Sequence, residues 1–196
     1  MPQLIRVLSE SDRLPPLEEL RRVLPESFDV AVTDGDEESW HSLELRHTDG
    51  ELVALIERKL AEEGSAIQEF TPHLNNAIAV RATEWLKHYL SHVRTIYTLE
   101  PMQAVNVPDG WLALQMAQAY IWKKFGGILQ ADGEGFTNRE GQHILWQFEG
   151  QQTGELESAV MDDSGRWVPF TMDMDDPEQV ESFRRGEIPQ GARRIA

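Results

Sequence analysis

A chain of 196 residues with 40% apolar side chains, six Trp and seven Phe has enough large apolar surface for a sizeable core, which excludes wholesale disorder. Eighteen Lys and Arg against 34 Asp and Glu give a formal charge of −16, which opposes binding to a phosphate backbone, so nucleic acid is not an expected partner. The absence of Cys removes disulfides, thiolate nucleophiles and sulfur-ligated zinc, and no cofactor is expected.

Met1 to Arg6 lack the apolar run of a signal peptide, and no apolar stretch approaches the ~20 residues that cross a bilayer. The expectation is a soluble cytoplasmic protein without a membrane partner; nothing in the sequence sets its oligomeric state.

In chain order, Leu4 to Leu8 reads as a short strand, and Pro15-Pro16 opens a helix whose Leu17, Leu20, Val23 and Leu24 share one face until Pro25 ends it. Phe28, Val30 and Val32 alternate with Asp29 and Ala31; Trp40, Leu43 and Leu45 do so more loosely, and Asp34-Gly35-Asp36 between them is turn chemistry. These pieces predict a β-α-β-β unit. Asp49 is placed to cap a helix carrying Leu52, Val53, Leu55, Ile56 and Leu60, with Gly64 as its stop. Ile67 to Phe70 reads as another short strand. Pro72 and Asn75-Asn76 introduce an amphipathic helix from Ala77 to about His92, with Ile78, Ala82, Trp85, Leu86, Tyr89 and Val93 on its buried face. Val93 to Leu99 reads as a strand because Val, Thr, Ile and Tyr favour one.

Pro108-Asp109-Gly110 precedes a long helix, Trp111 to Phe125, apolar in nearly every direction around its axis and so expected to be buried on most sides. Gly126-Gly127 ends it, and Ile128 to Ala131 is expected to pair with Ile144 to Phe148 across turns at Asp132-Gly133 and Asn138 to Gly141. From Glu149 to Glu181 ten acids face one base, Arg166. Strands at Leu156 to Met161 and Trp167 to Phe170 flank the turn Asp162 to Gly165. A terminal helix starts at Asp176-Pro177-Glu178-Gln179, and a basic tail holds Arg184, Arg185, Arg193 and Arg194. The predicted fold class is α+β: an antiparallel or mixed sheet with three long helices packed on it, an N-terminal β-α-β-β unit and a C-terminal β-hairpin region. Residues 1–148 read as the core domain and 149–196 as an acidic extension packed on the same domain.

The most site-like stretch is Gly126 to Phe136, where four Gly admit close approach of a ligand and Asp132 and Glu134 flank the bend. Its spacing matches neither the P-loop nor the dinucleotide fingerprint, and its acids miss the calcium-loop pattern, so a structural turn is the favoured reading. The alternative is a hydrolase or ligand-binding enzyme in which Asp132 and Glu134 are metal ligands or an acid/base pair, with raised carboxyl pKa values, and His88 assists. Glu84, His88 and His92 are spaced by four along one helical face, with Arg81 beside them; two His at this spacing can chelate zinc. Lys87 and Tyr89 flank His88, so the metalloprotease motif is absent and a solvated helix face is favoured. His73 and His143 stand alone, and no Gly-x-Ser-x-Gly elbow exists. Trp111, Trp122, Trp146 and Trp167 serve the core first, although with Gln115, Gln118 and Gln130 they would suit a binding groove.

With no catalytic signature, the leading reading is a non-enzymatic interaction protein that engages a basic protein through acidic surface. Its contact residues are Asp34, Asp36, Glu37, Glu38, Asp162, Asp163, Asp173, Asp175 and Asp176. In size, charge and class the chain is similar to bacterial inhibitor, immunity-type and adaptor proteins, a likeness of type carried by no motif.

Overall fold

The computed structural model describes residues 4–75, 77–150 and 152–195. Asn76, read above as part of a helix start, lies outside the described residues, as do the first three. The chain forms two compact units, each assembled from two separate stretches: residues 1–62 with 93–132, and residues 63–92 with 133–196. The boundary expected at residue 148 falls inside the second unit. Among the described residues there are eleven strands and five α-helices, a mixed α+β content. None of these helices is long and apolar enough to cross a membrane.

The first unit holds strands β1 (Ile5–Ser9), β2 (Phe28–Asp34), β3 (Ser42–His47), β4 (Leu52–Leu60), β5 (Thr95–Pro101) and β6 (Ile128–Ala131), hydrogen-bonded in the order β6-β1-β5-β4-β3-β2 and all antiparallel. Helices α1 (Leu17–Val23) and α4 (Gly110–Phe125) pack against each other and the sheet. Val7, Leu20, Trp40, Leu43, Leu45, Ile56, Tyr97, Leu99, Leu114 and Ile121 are buried in one core. Each such side chain contributes roughly 1.5–3 kcal/mol of transfer free energy.

Residues 5–47 form β1, α1, β2 and β3 in chain order, and the helix expected over residues 52–60 is absent. That segment is β4, paired with β3 so that Leu43 faces Ile56 and Leu45 faces Ala54. Val53 and Ala54, neighbours that point to opposite faces, are both buried. A strand covered on both faces shows a continuous apolar run, which periodicity alone does not separate from a helix. Asp49, instead of capping a helix, accepts from the Glu51 N–H at 3.1 Å in the β3-β4 turn, where Gly50 has φ +95°. The three long helices expected on the sheet therefore lose one member. The pairing expected between residues 128–131 and 144–148 changes too: β6 lies on β1, with Gly127 (φ +117°) packed so closely on Leu8 that a Cβ would strike the Leu8 carbonyl oxygen.

The second unit holds α2 (Ser65–Leu74), α3 (Val80–Leu90), β7 (Gly135–Thr137), β8 (His143–Trp146), β9 (Glu155–Met161), β10 (Trp167–Asp173), α5 (Pro177–Arg184) and β11 (Arg193–Arg194). The strand expected at 67–70 is part of α2, whose Ala66, Phe70 and Leu74 recur every fourth residue on the buried side. α3 is shorter than expected, and Ile78 precedes it, 56% exposed. β7 pairs with β8 and β9 with β10, both antiparallel, while β8 meets β9 in parallel at His143 and Ser158. The basic tail folds back: β11 pairs with Phe170 and Thr171, and the Arg193 guanidinium lies 3.1 Å from Glu155. The Asp176 carboxylate caps α5 as expected, accepting from the N–H groups of Glu178 (2.9 Å) and Gln179 (3.3 Å).

Candidate docking face

Helix α4 runs for 16 residues without an internal Gly or Pro, stops at Gly126 (φ +66°), and carries Lys123 and Lys124 in its last turn, where they complement the negative end of the helix dipole. Its inner face is Gly110, Ala113, Leu114, Ala117 and Ile121, all buried. Three of these five are Gly or Ala, so the helix axis lies close to its support; a Cβ at Gly110 would strike the Val105 carbonyl. Other large side chains of the helix, Trp111, Leu112 and Met116, lie off that face. Leu112, Met116, Ala119 and Lys123 follow one another at steps of four, three and four, the spacing of a helix–helix seam, and Trp111, Gln115, Gln118 and Trp122 form a parallel line. Burial on most sides is therefore not what α4 has: Trp111 is 45% and Leu112 47% exposed. No acid occurs in the 22 residues from Gly110 to Ala131, in a chain with 34 of them.

Between α4 and α1 lies a groove of about 450 Å³ lined by Val23, Met116, Ala119, Tyr120, Lys123 and Lys124. Glu19 holds its rim, accepting from Lys124 Nζ at 2.5 Å and from the Tyr120 hydroxyl at 3.1 Å. The hydrogen bond from Lys124, then that from Tyr120, holds the Glu19 carboxyl below its usual range; burial, reinforced by the Glu19 acceptor, pushes the Tyr120 phenol up. At neutral pH the rim thus presents an ionised Glu19 and a protonated Tyr120. Lys123 forms no ion pair among the described residues. A second hollow, about 680 Å³, includes Leu52, Met102, Ala104 and Val107, and Trp111 Nε1 donates to Asn106 beside it at 3.3 Å.

Two glycines of the Gly-rich tract serve packing. Gly127 lets β6 reach β1, and Gly135 (φ +119°) lets β7 reach β8, since a Cβ there would strike the Leu145 carbonyl. Asp132 belongs to the first unit and accepts from Arg6 Nη1 at 2.6 Å and Gln130 Nε2 at 3.2 Å. Burial raises its pKa, but the hydrogen bonds from Arg6 and Gln130 outweigh it and the net shift is downward, opposite to the rise an acid/base role requires. Glu134 belongs to the second unit, where its backbone carbonyl accepts from Gln147 N–H (2.9 Å) and meets His143 Nε2 (3.1 Å). His88 is exposed, its ring 4.7 Å from that of His92, whose Nδ1 lies 2.9 Å from the His88 carbonyl. Glu84 is exposed on the same helix and Arg81 pairs with Asp163. Among the described residues no three His, Asp or Glu side chains converge to hold a metal ion.

The acidic loops are occupied locally. Asp36 accepts from Ser39 Oγ (2.8 Å) and Glu38 N–H (2.9 Å), which lower its pKa, and Glu37 pairs with Arg21 at 2.9 Å; Asp34 and Glu38 are exposed beside them. In the second unit Asp162 closes the β9-β10 turn through Ser164 and Arg166, which hold its carboxyl at about 2. Asp173 accepts from Asp175 N–H (2.9 Å) and Asp175 from Gly154 N–H (3.0 Å). Of the tryptophans, Trp122 donates to the Gly127 carbonyl at 3.1 Å, Trp146 packs on Phe148 and Phe183, and Trp167 packs on Trp85. Gln130 is buried on Arg6 and Asp132, and only Trp111 of the four is openly exposed.

Comparison of the chain with known protein families, with curated proteins and with solved structures returns no match in any of the three. Sequence reasoning registered the apolar excess of α4 but assigned it to the core. The signal that separates the two uses is the clustering of Gly110, Ala113 and Ala117 on one face with large apolar residues remaining on the other, together with the missing acids.

Proposed function

We propose that this chain is a non-enzymatic protein-interaction protein that docks a basic partner, its contact made by the outer face of α4 and the groove beside α1. The observation that carries the reading is a seam-spaced apolar face without acids on an otherwise acidic surface. An amphipathic helix laid along such a face buries Leu112 and Met116 against its own apolar line, with Trp111 the kind of residue that anchors interfaces. The net charge supplies approach rather than contact. Eighteen acids against ten bases in the first unit, Asp34, Asp36, Glu37 and Glu38 among them, create a field that speeds encounter with a basic protein; Asp162, Asp163, Asp173, Asp175 and Asp176 do the same in the second. No observation favours the hydrolase reading, because Gly127 and Gly135 serve packing and Asp132 is held ionised by Arg6.

The test is capture from lysate of the organism of origin with wild-type bait and with Met116→Glu, at low and high salt. The reading predicts a stoichiometric basic partner that the folded Met116→Glu bait loses, with association slowed by salt. Retention of the same partner by Met116→Glu would remove α4 as the docking face, and a folded wild-type bait that retains nothing would remove the function.

A further inference from the structure

Strand β2 ends the hydrogen-bonded strand order, so among the described residues no strand lies on the other side of its backbone. Such an edge pairs readily with strands of other molecules unless something occupies it. Phe28-Asp29-Val30-Ala31 alternates buried and exposed residues, and Phe28 to Val32 contains neither Pro nor Lys, which leaves Asp29 as its only charged residue.

The register determines which groups face out. The Ser27 carbonyl accepts from the Thr48 N–H at 2.9 Å, on the β3 side. Asp29 and Ala31, opposite Arg46 and Glu44, follow in the same phase, so Phe28, Val30 and Val32 turn their N–H and C=O groups outward. Both outward groups of Val30 are taken by side chains. Its N–H donates to Asp29 Oδ1 at 2.7 Å, and its carbonyl accepts from Arg21 Nη2 at 3.2 Å. Arg21 Nε lies 3.3 Å from the same Asp29 oxygen and Nη1 lies 2.9 Å from Glu37. On either side of Val30, the Phe28 N–H donates to the Pro25 carbonyl at 2.9 Å, and the register shifts between Val32 and Asp34.

We propose that Arg21 and Asp29 form an edge guard, occupying the outward groups of Val30 and keeping β2 closed to strand addition by a second copy of this chain. The ion pair itself does little for the fold: the side chains of Arg21, Asp29 and Glu37 are 33%, 69% and 64% exposed, and exposed pairs contribute little to stability. What the arrangement provides is occupancy of a donor and an acceptor that a second strand needs together, at the centre of an otherwise pairable edge.

The experiment compares wild type, Arg21→Met/Asp29→Ala, the same pair with Ala31→Lys added, and Glu37→Gln. Size is read by chromatography with light scattering over a concentration series, and Val30 amide exchange on dilute samples. Wild type and Glu37→Gln, which keeps both Val30 bonds, should hold one size at all concentrations. The double variant should associate as concentration rises and its Val30 amide should exchange about tenfold faster when dilute. Ala31→Lys, an exposed charge on the edge, should restore constant size. A double variant that retains its far-UV circular dichroism and shows no association overturns the proposal, as does association that Ala31→Lys leaves unchanged. Should the double variant fail to fold, single Asp29→Ala, which frees only the Val30 N–H, takes its place under the same criteria.

Discussion

The two units have nearly the same charge balance, eighteen acids against ten bases and sixteen against eight, yet their exposed apolar side chains are arranged differently: in the second unit Ile78 and Val80 lie before and at the start of α3, and in the first Trp111 and Leu112 begin a line along α4. In the first, a continuous core runs under α1 and α4, and α4 still has large apolar side chains left for its outer face. In the second, Val160, Phe170, Met172 and Phe183 form a smaller cluster that draws in Trp146, Leu156, Val180 and Ile188. Its acids close turns and cap a helix, as Asp162 and Asp176 do. Neither charge nor the exposure of single apolar residues separates the two units; the seam spacing along α4 does, and the proposed docking rests on it.

The comparison is sharpened first by the cores. Trp40, wholly buried against Tyr97 with Nε1 donating to the Pro15 carbonyl, anchors the first unit, and Trp40→Ala should cost about 3–5 kcal/mol in denaturant unfolding. A loss under 1 kcal/mol would mean the first core is not organised around it. Next comes an acid sensitivity peculiar to the second unit. His143 is buried among Phe148 and Phe183, and burial, only partly offset by the Glu134 and Leu145 carbonyls, pushes its pKa down from 6.5 to about 4. Between those values the unfolded chain binds the proton and the folded chain does not. Stability is therefore present above pH 6.5 and lost as pH falls toward 4, by about 3 kcal/mol in full. Titrating stability across this window should reveal the slope in wild type and a shallower one in His143→Leu; equal slopes would break the assignment.

Smaller effects separate backbone roles. Gly135→Ala, at φ +119° and against the Leu145 carbonyl, should cost about 1–3 kcal/mol, and Gly133→Ala, at φ +74° with room for its Cβ, distinctly less. Matching thermal shifts for the two would contradict the packing role assigned to the Gly-rich tract. Asp176→Ala should cost about 1 kcal/mol through lost capping of α5, read as faster exchange of the Glu178 and Gln179 amides.

Legibility followed burial geometry. Phe28, Val30 and Val32 were readable because one face of β2 is buried and the alternation survives in the sequence. Residues 52–60 were not, because β4 is covered on both faces where Val53 and Ala54 sit, and the alternation vanishes. In α2 the stripe of Ala66, Phe70 and Leu74 was hidden by Pro72 inside the helix. The excess of apolar residues on α4 was visible, but which side they take depends on how closely Gly110, Ala113 and Ala117 let the helix approach the core, a tertiary fact. The Arg21 contact with the Val30 carbonyl, from a helix to a strand edge, has no local sequence signature at all.

The most direct test of the α4 docking face is site-specific photocrosslinking in the organism of origin, with the crosslinker at Met116 on the outer face of α4 and, for comparison, at Glu178 on α5 of the second unit. The account predicts one discrete adduct with a basic protein from position 116 and none from 178. No adduct at 116 from folded protein, or the same adduct from both positions, would contradict it.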